Sequence, residues 1–104
     1  LFSLGVTYDT PNEKLKQIPQ IIQKIIEETE DTTFARAHFA SFGSYSLNFE
    51  VVYFVLTSDY DRYMDINQRV NLAIKEEFER LGVKFAFPTS VVQMQQGSSL
   101  YSQE

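Results

Sequence analysis

Ser46-Leu47-Asn48-Phe49-Glu50-Val51-Val52-Tyr53-Phe54-Val55-Leu56 is the stretch on which the fold turns. Side chains alternate across a strand with a period of two, so Leu47, Phe49, Val51, Tyr53 and Val55 line one face without a polar interruption. The opposite face carries Asn48, Glu50, Val52, Phe54 and Leu56; it starts polar and ends apolar, so its far end is expected to be covered too. A strand this long and aromatic needs a layer to pack against. Helical patterns on both sides of it in sequence offer one.

Upstream, Leu1 to Tyr8 reads as a strand with Phe2, Leu4, Val6 and Tyr8 on one face and Gly5 on the other, where a missing side chain lets neighbouring atoms approach. Asp9-Thr10-Pro11-Asn12-Glu13 is a helix start. Thr10 and Glu13 have the spacing of reciprocal caps, and Pro11 suits the first helical position. Leu15, Ile18, Ile22, Ile25 and Ile26 follow at helical spacing. Pro19 removes one helical hydrogen bond, so a kink or a break into two helices is expected there. The acidic run Glu27 to Asp31 closes the helix, with a frayed end expected. Thr33 to Phe42 reads as a second strand of imperfect alternation, which predicts a bulge. A Gly43 turn then makes a hairpin with the central strand.

Downstream, Thr57-Ser58-Asp59 supplies helix caps. Tyr63, Ile66, Val70, Ile74, Phe78 and Leu81 form a core stripe, and Gly82 suits the C-terminal cap. Val83 to Phe87 reads as a last short strand, with Pro88 ending it. The order β-α-β-β-α-β predicts an α+β, ferredoxin-like sandwich: a four-stranded antiparallel sheet with two helices on one face. Residues 1–88 form that domain, 89–94 a possible extra strand, and 95–104 a flexible tail.

Composition narrows the function classes. The 104 residues carry a formal charge of -5 and no cysteine. Thiolate and disulfide chemistry are therefore absent, and an acidic chain is a poor partner for a phosphate backbone. No apolar run approaches the ~20 residues that span a bilayer. The chain opens in mid-strand without an initiator Met, so it reads as a piece of a longer protein, and these absences describe that piece.

No catalytic constellation emerges. His38 is the single histidine, with no cysteine or second histidine to join it, so a structural or surface role is expected. Asp59, Asp61 and Asp65 lack the glycine and the terminal glutamate of a calcium loop, and read as helix-capping and dipole-complementing residues. Base stacking on Phe34, Phe39, Tyr45, Phe49, Tyr53 or Phe54 is not expected, because Asn48 to Leu56 contains no Lys or Arg. No cofactor, metal or nucleic acid is expected. A sandwich with helices on one side leaves the other sheet face open. Val52, Phe54 and Leu56 on it make a patch that soluble monomers seldom expose, so a neighbouring subunit or domain is expected to cover it.

Four stretches resemble one family: LGVTYDTPNEKLKQIPQIIQKIIE (Leu4 to Glu27), FGSYSLNFEVVYFV (Phe42 to Val55), TSDYDRYMDINQRVNLAIKEEFERLGV (Thr57 to Val83) and FAFP (Phe85 to Pro88). They look like the C-terminal cytoplasmic domain of the MscS-like, small-conductance mechanosensitive channels. Ser44 stands where the hairpin turn of the family usually has an acid, and Phe85-Ala86-Phe87-Pro88 departs from its usual Ile-Pro-Phe-Pro. The resemblance implies a non-enzymatic vestibule and assembly domain of a channel that opens under membrane tension and releases solutes on osmotic downshock. It implies a homo-oligomer, a heptamer in the intact channel, in the inner membrane with this domain on the cytoplasmic side. Membrane contact would run only through segments upstream of this chain. It also implies that Val91, Val92 and Met94 belong to a strand of a small barrel. The other reading is a free-standing ferredoxin-like sensor or ligand-binding domain that dimerises through its sheet.

Overall fold

The computed structural model describes residues 1–86. The elements are β1 (Phe2–Val6), α1 (Asn12–Glu27), β2 (Thr32–Phe42), β3 (Leu47–Val55) and α2 (Tyr60–Leu81). β3 is central, with β1 and β2 antiparallel on either side. The fold is α+β: a three-stranded antiparallel sheet with two helices. The expected last strand is reduced, among the described residues, to a single antiparallel bridge between Val6 and Phe85. Hydrogen bonds from Thr7 N to Lys84 O (3.1 Å) and Ala86 N to Gly5 O (3.0 Å) flank it.

The alternation of β3 holds in three dimensions. Leu47, Phe49, Val51 and Tyr53 are buried against Ile18, Ile22 and Ile26 of α1 and Val70, Ile74 and Phe78 of α2. Full burial of side chains this size contributes about 1.5–3 kcal/mol each, so this layer dominates stability. Tyr53 keeps its hydroxyl satisfied by donating to Asn67 Oδ1 at 2.7 Å.

β2 explains its own broken pattern. The pairing register shifts between Phe34 and Arg36 and again between Phe39 and Ser41. Each shift inserts one residue, so the three-residue steps Phe34 to Ala37 and Phe39 to Phe42 return to the same face of the sheet.

The helix ends differ from each other. Asp59 caps α2, accepting from Asp61 N at 3.0 Å, and Gly82 ends it in the left-handed conformation (φ 81°). In α1 the expected capping box does not form. Pro11 is the N-cap, not the first helical residue, and provides no side-chain bond. Thr10 turns back instead, its Oγ1 donating to Thr7 O at 2.8 Å. Nor does Pro19 split α1, which continues through it to Glu27. The acidic end is tied down by hydroxyls: Thr29 donates to Ile25 O (2.7 Å) and Thr32 to Ile26 O (2.6 Å).

Tyr8 and Tyr63, both expected to face the core, are exposed. Tyr8 lies beyond the end of β1, where its hydroxyl donates to Gly43 O. Tyr63 sits in the first turn of the longer helix.

Candidate functional site

The uncovered side of the sheet can be mapped from its register. Along β3, Asn48 lies between Gly5 and Ser41, Glu50 between Ser3 and His38, Val52 beside Arg36, and Phe54 beside Thr33. The face therefore has two halves. Towards the hairpin it is polar: Ser46 Oγ donates to Asn48 Oδ1 (2.5 Å), Asn48 Nδ2 donates to Ser41 Oγ (3.4 Å), and Arg36 pairs with Glu50 at 2.8 Å. Both partners of that pair are substantially solvated, so it contributes about 0–1 kcal/mol. Gly5 floors this half, since a Cβ there would stand 2.8 Å from Ser46 Cβ.

Towards the start of α2 the face turns apolar. Val52 is half-buried, whereas Phe54 is 58% and Leu56 61% exposed. Tyr60, Tyr63 and Met64 of the first turns of α2, which follow in the chain, are exposed as well, the two tyrosine rings 6.2 Å apart. Sequence alternation places Val52, Phe54 and Leu56 on this face and does not single out the α2 residues. Their signal was present, as all of them fall within one short run of the chain.

Arg62 was also missed. Its guanidinium donates to Asp31 Oδ2 at 2.9 Å and lies 3.8 Å from Glu30, tying α2 to the turn between α1 and β2. The Asp31 hydrogen bond, with the charges of Asp31, Glu30 and Asp65, raises the Arg62 pKa, so it stays cationic. Asp31 itself adopts φ 61°, and its carbonyl accepts from Leu56 N at 2.7 Å.

Nothing in this geometry assembles a reaction centre. His38 is exposed opposite Glu50. Among the described residues, no group of three His, Cys, Asp or Glu is placed to hold a metal ion. The groove between α1 and α2, about 410 Å³, mixes Lys24, Arg69 and Arg80 with Glu28, Glu76 and Glu77. Phe49 and Tyr53 are buried, and among the aromatics of β3 only Phe54 is on the open face, so no stacking platform for bases exists there. No helix of the described residues is long and apolar enough to cross a membrane. Val91, Val92 and Met94 lie outside the described residues.

The exposed apolar residues at the β3–α2 end are the most distinctive feature of the described surface. Residues 1–85 match the family described as "Mechanosensitive ion channel MscS, C-terminal". The chain belongs to the MscS family. It is 43% identical over 96 residues to the small-conductance mechanosensitive channel MscMJ of Methanocaldococcus jannaschii, covering 91% of this chain and 27% of the relative. It is 44% identical over 93 residues to the large-conductance mechanosensitive channel MscMJLR of the same organism, covering 84% and 26%. An uncharacterized MscS family protein of Aquifex aeolicus is 36% identical over 95 residues. The chain thus spans about a quarter of the length of these curated relatives. The named relatives are mechanosensitive channels, a family that is not enzymatic.

Proposed function

We propose that this chain is the cytoplasmic vestibule and assembly region of a tension-gated channel that releases solutes on osmotic downshock. In this reading the intact protein lies in the inner membrane and seven copies assemble, with this region on the cytoplasmic side. The observation that carries it is the conjunction of MscS family membership over residues 1–85 with exposed Phe54 and Leu56 at one end of the sheet. Val52, Phe54 and Leu56 are then subunit-interface residues. The same reading extends the Val6–Phe85 bridge into a fourth strand, Val83 to Phe87, beside β1, giving a ferredoxin-like sheet in which that strand is followed by β1, β3 and β2. It assigns Thr89 to Met94, with Val91, Val92 and Met94, to a barrel strand shared among copies.

The test is patch recording from membranes that carry the full-length protein, with suction applied to the patch. Conductance that opens with tension, and improved survival of downshock in cells that express the protein, are expected. A full-length protein that is soluble, or membrane-bound without tension-activated conductance, would overturn the reading.

A further inference from the structure

Apart from Leu1 and Leu72, the exposed large apolar residues among those described fall into two groups at opposite ends of β3. One group is Phe54, Leu56, Tyr60, Tyr63 and Met64, where β3 passes into α2. The other is Phe39, Phe42 and Tyr45, with Tyr8, at the tip of the β2–β3 hairpin. Phe42 is 75% exposed and its ring lies 5.2 Å from that of Phe39. Tyr8 is bound to the turn through its hydrogen bond to Gly43 O. The length of β3 separates the two groups: eight steps from Leu47 to Val55 at about 3.3 Å each amount to ~26 Å.

Charge distinguishes the ends as well. Around the β3–α2 end stand Glu30, Asp31, Asp59, Asp61 and Asp65, with Arg62 paired to Asp31 and Glu30, so this group of six carries a net of -4. At the hairpin end Lys16 lies against Phe39 in a shallow pocket with Asn12, Leu15 and Pro19. Lys14 stands near Gly82, and the Lys84 backbone is bonded to Thr7, against Asp9 and Glu13 at the start of α1. Asp9 is engaged locally, accepting from Thr7 Oγ1 at 2.6 Å.

From these observations we infer that copies of this chain meet head to tail, the hairpin-tip aromatics of one copy resting on the Phe54–Leu56–Tyr60 end of the next. The inference rests on the assembly proposed above and names the two surfaces that would make it. A two-fold contact through the β3–α2 end would press two acidic ends together. The head-to-tail contact places Lys16 near those acids instead, and contacts between unlike surfaces generate rings when the rotation closes. The area is also informative. With aromatic side chains of roughly 200 Å², the exposed fractions leave about 400 Å² on the hairpin tip and about 500 Å² on the other end. The sum falls below the ~1,200 Å² of a standard specific interface. One joint alone is therefore weak, and closure of a ring or tethering elsewhere in the protein adds the rest.

The experiment uses the full-length protein with any cysteine outside this chain replaced by serine; the chain itself has none. Phe42→Cys, Tyr60→Cys and the double variant are treated with a bismaleimide too short to bridge the two ends of one copy. The double variant is expected to give a ladder of covalent multimers, and each single variant none. Lys16→Glu added to the double variant should weaken the ladder several-fold, and Asp61→Lys added to that should restore it. Covalent dimers from either single variant would mean like surfaces meet and would overturn the inference. So would an oligomer of normal mass in which the double variant gives no ladder. A monomeric full-length protein would instead remove the assembly on which the inference rests.

Discussion

Gly5→Ala is the substitution whose outcome the geometry constrains most tightly. A Cβ at Gly5 would stand 2.8 Å from Ser46 Cβ, about 0.6 Å short of the 3.4 Å at which ordinary contact begins, and 3.0 Å from Ser46 Oγ. Ser46 cannot retreat freely. Its carbonyl accepts from Gly43 N at 2.7 Å and its hydroxyl donates to Asn48 Oδ1 at 2.5 Å. Overpacking of this kind costs about 1–3 kcal/mol. Replacing glycine within a strand returns about 0.5–1 kcal/mol of chain entropy. The two ranges leave a net loss of between about 0 and 2.5 kcal/mol, and the restraints on Ser46 place it at roughly 1 kcal/mol or more. In a domain of this size each kcal/mol lowers Tm by about 4–8 °C. The loss is read from urea titration followed by circular dichroism and by fluorescence of the six tyrosines, since the chain has no tryptophan. A double-mutant cycle then identifies the obstacle. Ser46→Gly removes the offending Cβ and should couple favourably with Gly5→Ala, whereas Ser46→Ala keeps it and should rescue poorly. A Gly5→Ala chain as stable as the parent, or one rescued equally by both Ser46 changes, would refute the reasoning.

Asp59→Ala should cost about 1 kcal/mol through the lost cap on Asp61 N. Thr10→Ala should leave the α1 N-terminus uncapped to the same extent as before, its hydroxyl being bonded to Thr7 O, and so move stability only through that turn bond. Gly82→Ala should cost about 1 kcal/mol, because φ 81° strains any residue with a Cβ; both capping changes are checked by the same urea titration. Burial, and then the charge of nearby Tyr63, raise the Tyr53 phenol above its ordinary 10.0. The unfolded chain therefore loses that proton first, so stability falls as pH rises past 10 towards the raised folded value. Tyr53→Phe should flatten the decline by up to one proton's worth, measured as Tm against pH.

The framework was legible because β3 is buried on one side only. Its core face carries an unbroken apolar series, and the helical stripe Ile66, Val70, Ile74, Phe78 can face only that layer. The irregularity of β2 was visible too: three-residue steps between apolar positions mark inserted residues, as the register shifts show. Local signals failed where two satisfactory partners competed. Thr10 had the spacing of a cap, but the turn offered Thr7 O, and the chain took it. Tyr63 kept helical periodicity yet is exposed in the first turn of α2, and periodicity carries no information on where the neighbouring layer stops. At the candidate site, Val52, Phe54 and Leu56 could be picked from alternation alone. The hairpin-tip aromatics could not, because Phe39 and Phe42 share their face with core residues, and alternation does not reveal that Phe39 is only partly covered and Phe42 left open.

The particle mass of the full-length protein in detergent, measured by native mass spectrometry, tests the assembly claim most directly. Seven copies are expected, with Phe54→Asp shifting the population towards smaller species. A single copy under conditions where the protein remains folded, or an assembly indifferent to charge at Phe54, would contradict the account.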